Sequence, residues 1–126
     1  MFNHKLSDFD AITYHTVYEF FVKNIDKLIN NGIKKENIII DLGFGFFKNQ
    51  DYNYEMLKNL SNFQSLNLPI LLGISRKSFF KTVNDNNDIA DNKTIALSSA
   101  VLDYADILRV HNVKRHKNMI NLLNKI

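Results

Sequence analysis

Alternating helical and strand-like segments predict a parallel α/β fold for this chain of 126 residues. Two observations carry that prediction. Three short apolar runs, Ile38–Ile40, Ile70–Leu72 and Ile107–Val110, are separated by longer segments whose apolar residues recur at three- and four-residue steps. Each run also ends in a polar or glycine-containing cluster, and the carboxyl edge of the strands is where parallel α/β folds bind ligands.

From Tyr14 to Asn31 the residues Val17, Phe20, Phe21, Ile25, Leu28 and Ile29 share one helical face, and Gly32 supplies the stop. Asn37 opens Ile38-Ile39-Ile40, a β-branched run without alternation, as expected for a strand buried on both faces. A second helix starts near Asp51 and turns Tyr54, Leu57, Leu60 and Phe63 inward, before Pro69 introduces Ile70-Leu71-Leu72 and Gly73 closes that strand. After Ser75 and the polar stretch Asn84 to Asp91, a third helix runs through Ile95, Leu97, Ala100, Val101 and Tyr104. The strand Ile107-Leu108-Arg109-Val110 follows, and a last helix carries Met119, Ile120, Leu123 and Ile126. Three strands and four helices fit either a small doubly wound layer or part of a (β/α)8 barrel, whose usual length is about 250 residues. Periodicity does not choose between them.

Composition narrows the function. A content of 45% hydrophobic and 12% aromatic residues supports one packed domain, and the length is too short for two. Sixteen Lys and Arg against 13 Asp and Glu leave a formal charge of +3, with the lysines scattered, which argues against nucleic acid as a partner. The absence of cysteine excludes disulfides, thiolate metal sites and cysteine nucleophiles, and fits a reducing compartment. No stretch approaches the roughly 20 apolar residues of a membrane span, and Met1-Phe2-Asn3-His4-Lys5 lacks the apolar core of a signal peptide. A soluble, cytoplasmic protein is expected.

The chemistry gathers at the three strand ends. In Asp41-Leu42-Gly43-Phe44-Gly45-Phe46-Phe47-Lys48 a carboxylate ends the strand and glycines let backbone approach a ligand. Such a carboxylate accepts a pair of N–H bonds from an amidine-like heterocycle edge, or else caps the following turn. In Gly73-Ile74-Ser75-Arg76-Lys77-Ser78-Phe79 two cations stand where a helical turn should begin, a position the helix dipole disfavours, so an anionic ligand or a solvated basic loop is implied. In Arg109-Val110-His111-Asn112-Val113, alternation sends Arg109 and His111 to one side, where a guanidinium and an imidazole suit a diphosphate. The plainer alternatives are a structural histidine and an Arg109–Asp106 pair.

In this order and at these spacings, the three clusters resemble the C-terminal signatures of the dihydropteroate synthase family of pterin-binding TIM barrels. The family patterns are Asp-Pro-Gly-x-Gly-Phe-Gly-Lys, Gly-x-Ser-Arg-Lys-Ser-Phe and Arg-Val-His-Asp-Val. The resemblance implies a partial (β/α)8 TIM barrel, its C-terminal half. It would have about three to four parallel strands and four or more helices, in one domain over residues 1–126. Met1 to His4 would be the remnant of the family's fifth strand.

The resemblance also implies site roles. Asp41 would bond the amino-pyrimidine edge of the pterin and Lys77 would contact the pterin. Gly45, Phe46, Gly73 and Ser75 would shape the pocket, Phe46 and Ser75 on the aminobenzoate side, with Arg76 near that entrance. Arg109 and His111 would hold the diphosphate leaving group, so Lys77, Arg109 and His111 are the expected catalytic residues. The implied reaction joins 6-hydroxymethyl-7,8-dihydropterin diphosphate to para-aminobenzoate, giving dihydropteroate and diphosphate. The family's Mg2+ has its protein ligand in the N-terminal half, so no metal ligand is expected here.

Three residues depart from the family pattern: Leu42 replaces proline, Phe47 replaces glycine and Asn112 replaces aspartate. Because the resemblance begins near the family's fifth strand and the half before it is missing, the chain is expected to be inactive alone, and to dock onto a separate N-terminal half or self-associate. The alternatives are a non-catalytic relic that binds pterin or anions, and another pterin-binding barrel such as a methyltetrahydrofolate-dependent methyltransferase. The lysine of the second cluster favours the synthase.

Overall fold

A computed structural model describes residues 14–44 and 50–126. Five α-helices and three strands alternate among these residues: α1 Tyr14–Asn30, β1 Ile40–Asp41, α2 Gln50–Lys58, α3 Leu60–Phe63, β2 Ile70–Leu72, α4 Asn87–Ala100, β3 Ile107–Leu108 and α5 Val113–Leu123. The strands form one parallel sheet in the order β1-β2-β3, with Ile40 opposite Ile70, Asp41 opposite Leu71, and Leu71 opposite Ile107. This is the expected α/β order. Met1 to His4 lie outside the described residues.

Alternation along the strands divides the sheet into two unlike faces. Ile38, Ile40, Leu42, Ile70 and Leu72 point to one side and are all buried against a cluster that includes Val17, Met56, Leu57, Leu60 and Phe63. Phe63 is its centre, with Phe21 meeting it edge-on at 6.3 Å and Tyr18 tilted against it at 5.9 Å. The other face carries Ile39, Asp41, Leu71 and Ile107, and there Ile39 is 55% and Ile107 38% exposed. The strand expected to be buried on both faces is thus buried on one, because the described helices cover a single side of the sheet.

Helix faces shift for similar reasons. In α1, Val17 is buried and Phe21 and Ile25 pack on the core, but Leu28 and Ile29 are exposed, since the last turn runs past the sheet. Asn59 interrupts the second helix at φ −111°, ψ 17°, which separates α2 from α3 and turns Tyr54 outward while Tyr52, Asn53 and Met56 go inside. The third helix ends at Ala100, which is exposed, and Leu102–Tyr104 forms a 3₁₀ turn instead of a further helical one. Within the helix the buried residues are Ala90, Asp91, Thr94 and Ser98, while of the apolar set that periodicity selects Val101 is buried just past its end and Leu97 and Tyr104 pack on the core. Ile126 lies beyond α5 and is exposed.

Turn chemistry sets the ends. Asn86 caps α4 by accepting from the Ile89 N–H at 2.8 Å, and Asn112 caps α5 by accepting from the Arg115 N–H at 3.1 Å. Before α4, Asp85 accepts from Lys93 Nζ at 2.6 Å and from the Thr82 hydroxyl at 2.7 Å. Lys93, and then Thr82, hold its carboxyl down to about 2. A lowered folded pKa contributes stability above the ordinary carboxylate range that is lost as pH falls through the folded value.

Two outcomes are expected. Phe63→Ala should lower the unfolding free energy by about 3–5 kcal/mol in urea titrations, because it empties the fully buried centre of the core. Thermal unfolding between about pH 5 and pH 2 should show a shallower acid loss for Asp85→Asn than for the natural chain.

Candidate functional site

The residues after β2 and β3 converge on one cleft of about 410 Å³ lined by Gly73, Ser75, Arg76, Lys77, Arg109, Val110 and His111. The parallel register is what brings them together. Leu71 lies beside Ile107, so one pleat further along, on the same face, Gly73 lies beside Arg109. The Arg109 N–H donates to the Leu72 carbonyl at 3.0 Å, extending the ladder one residue past the strand. The Arg109 guanidinium lies over Gly73, and a Cβ there would overlap its Nη2. Gly73 is therefore the floor under a guanidinium.

Ser75 and His111 form the second tie between the two loops. The Ser75 hydroxyl lies 2.8 Å from His111 Nδ1 and also accepts the His111 backbone N–H at 3.1 Å. Ser75 is buried, and its own hydroxyl hydrogen needs an acceptor, which Nδ1 provides. With the hydroxyl hydrogen on Nδ1, the ring's own N–H is at Nε2, where it can donate to an anion.

Arg76 has a different occupation from the one its sequence position suggests. Its Nε and Nη2 donate to the two carboxylate oxygens of buried Asp91 at 2.8 and 3.1 Å, and its backbone holds a left-handed φ of 56°. Arg76 first, and Asn112 after it, keep the Asp91 carboxyl below the usual carboxylate range. Arg76 thus borders the cleft with its charge balanced by Asp91, and Lys77 and Arg109 belong to the same lining.

Asp41 stands at the end of β1 on the same sheet face as Gly73 and Arg109. It is exposed, lies outside the lining of this cleft, and Oδ1 accepts from the Gly43 N–H at 3.0 Å. The turn-capping role is therefore present, and Gly43 occupies a left-handed φ of 72° that favours glycine. Gly45 and Phe46, with Phe47 and Lys48, fall outside the described residues. Asp106 does not take Arg109; its carboxylate accepts the Ile70 N–H at 2.9 Å.

A larger cleft of about 500 Å³ runs along the open edge of β3 beneath α5, lined by Leu102, Leu108, Val113 and Ile120 among others. It is mainly apolar, with Asp106, Arg109, His116 and Lys117 also bordering it. Asp91 and Thr94 escaped the search for apolar periodicity. The signal that betrays them is the spacing of Asp91, Thr94 and Ser98 at i, i+3 and i+7, a polar stripe where a helix should present apolar residues.

A parallel sheet covered by helices on one side, with its polar cleft at the carboxyl end of the strands, is the arrangement of a (β/α)8 barrel segment. The comparisons make this specific: residues 5–111 match the family of pterin binding enzymes, and the chain belongs to that family. Dihydropteroate synthase of Haemophilus influenzae is 39% identical over 110 residues, covering 84% of this chain and 39% of the relative. That of Streptococcus pyogenes is 35% identical over 130 residues, covering 100% of this chain and 48% of the relative. The solved dihydropteroate synthase of Anaplasma phagocytophilum, with bound 6-hydroxymethylpterin-monophosphate, superposes with a TM-score of 0.85 at 30% identity over 98% of this chain and 49% of that one. The Xanthomonas albilineans enzyme in complex with 7,8-dihydropteroate gives a TM-score of 0.87 at 26% identity over 94% of this chain and 48% of that one. The chain thus spans about half the length of these relatives or less.

Gly73→Ala is the sharpest test of the cleft. The methyl group displaces only the far end of Arg109, so thermal stability should stay near that of the natural chain. Inorganic pyrophosphate binding, read by calorimetry, should weaken by roughly tenfold as the guanidinium leaves its place.

Proposed function

We propose that this chain is the C-terminal half of a dihydropteroate synthase of folate biosynthesis. In this reading the enzyme is a transferase that joins 6-hydroxymethyl-7,8-dihydropterin diphosphate to para-aminobenzoate. The observation that carries it is the convergence of Lys77, Arg109 and His111 on one cleft, on the scaffold of a family whose relatives are dihydropteroate synthases.

The aminobenzoate nitrogen attacks the pterin methylene carbon, the carbon–oxygen bond to diphosphate breaks, and the amine loses a proton. The difficulty lies in orientation and in charge gathering on the leaving oxygen. Arg109, held over Gly73, presents a forked donor to that charge, and His111, oriented by Ser75, presents its Nε2 hydrogen. Lys77 borders the same cleft from the neighbouring strand end and would contact the pterin. Asp41, on the shared sheet face, would accept the amino-pyrimidine edge, with Gly45 and Phe46 completing that side.

Among the described residues no group of three or more His, Cys, Asp or Glu side chains is placed to hold a metal. The magnesium of the family would need ligands from elsewhere, and no step above passes through it. The exposed aliphatics Ile39 and Ile107 support a further part of the reading: the remaining strands of the barrel cover that face. Among the described residues no helix is long and apolar enough to cross a membrane, and the reading places the enzyme in the cytoplasm.

Calorimetry with the dihydropterin diphosphate, with and without a polypeptide carrying the complementary half, tests the proposal. The 126-residue chain alone should form no dihydropteroate, and the complemented pair should bind the diphosphate and turn over. Turnover by the chain alone would refute its dependence on the other half. Absence of heat in both cases would favour a non-catalytic relic.

A further inference from the structure

Asp91 lies outside the cleft lining, on α4, and yet bonds to both loops that form it. Its Oδ1 accepts from Arg76 Nε at 2.8 Å and its Oδ2 from Arg76 Nη2 at 3.1 Å, which fixes the loop after β2. The same Oδ2 accepts from Asn112 Nδ2 at 3.3 Å, which fixes the loop after β3. Around this carboxylate the remaining bonds are also made. Thr94 Oγ1 accepts the Arg76 N–H at 3.1 Å, and the Asn112 carbonyl accepts from His116 Nδ1 at 2.9 Å. Ser98 Oγ lies 3.2 Å from His116 Nε2, so the buried stripe of α4 reaches α5 as well.

We propose that Asp91 is a positioning residue for the anion cleft. One buried carboxylate clamps the two strand-end loops together through Arg76 and Asn112, and thereby sets the spacing of Lys77 from Arg109 and His111. The ligand named here rests on the reading of the cleft as a diphosphate site; the clamp itself rests on the hydrogen bonds alone. Two features make a clamp the better account than a surface ion pair. Asp91 is 4% exposed and accepts from two separate loops, and the Arg76 backbone is held at a φ of 56°, a left-handed conformation that costs a residue other than glycine and persists where the surroundings hold it.

The sign of the effect separates a clamp from a simple counter-charge. Were Asp91 acting only through its charge, removing that charge would strengthen anion binding and release Arg76 to join in. A clamp predicts the reverse. Pyrophosphate titrations of the full 126-residue chain, followed by amide NMR, should show binding weakened by roughly fivefold or more in Asp91→Asn. Asp85→Asn makes the same change of charge and also loses an ion pair, to Lys93, and it should stay within roughly twofold of the natural chain. Without ligand, Asp91→Asn should move the amide signals of Ser75, Arg76, His111 and Asn112 together. Thr94→Val keeps the ion pair and removes the acceptor for the Arg76 N–H; it should move the same signals by less, and it carries the test if Asp91→Asn does not fold. Binding in Asp91→Asn as tight as in the natural chain, or tighter, overturns the clamp, as do signals that move only on α4 and the loop after β2. If the natural chain binds no pyrophosphate, the diphosphate reading fails, and the amide signals alone decide for or against the clamp.

Discussion

Parallel hydrogen bonding among β1, β2 and β3 holds Asp41, Leu71 and Ile107 in one row. Because side chains alternate, the next groups up on that face are Gly73 and Arg109, and the chain beyond them enters loops that end in helices. A slip of one residue in the β2–β3 pairing would send Arg109 into the helix-covered side, and one in the β1–β2 pairing would do the same to Asp41. The cleft is thus a consequence of register. Nothing in the loops alone would bring Ser75 within 2.8 Å of His111 across 36 residues of sequence.

Register is in turn held by the contrast between the two faces. Ile40, Ile70 and Leu72 are nearly inaccessible, and burying three aliphatic side chains contributes roughly 1.5–3 kcal/mol each. The opposite face exposes Ile39 and Ile107 and contributes little in these residues by themselves. The protein consequently carries a firm outer layer of helices on sheet and an inner face that still has apolar area to bury. That asymmetry fits a barrel segment, since the inner face of a barrel is covered by the other strands.

The departures from the family pattern fall in unlike environments. Leu42 is 2% exposed and belongs to the core beneath β1, so the position that the family gives to proline contributes packing here. Asn112 both caps α5 and donates to Asp91, two tasks that need an amide, because a carboxylate at this position could cap but not donate. Phe44 is buried and stacks at 6.1 Å on Phe79 of the second cluster, so the first and second strand-end clusters also touch through aromatic packing.

Much of this protein was legible in the residues in order. The helix–strand alternation, the three strand ends and the cations they carry follow from periodicity and from side-chain chemistry, both of which are local properties. The resemblance to pterin-binding barrels rested on the same three clusters, and the structural relatives agree with it. The occupation of each polar group was not legible. Arg76 and Arg109 look alike in sequence, two arginines just past two strands, but a carboxylate 15 residues away neutralises one while a glycine on the adjacent strand seats the other. Nor could Ile38-Ile39-Ile40 reveal that Ile39 alone faces away from the core, since three equal side chains give no alternation to read. These outcomes depend on which partners meet across the fold, and only the tertiary structure supplies them.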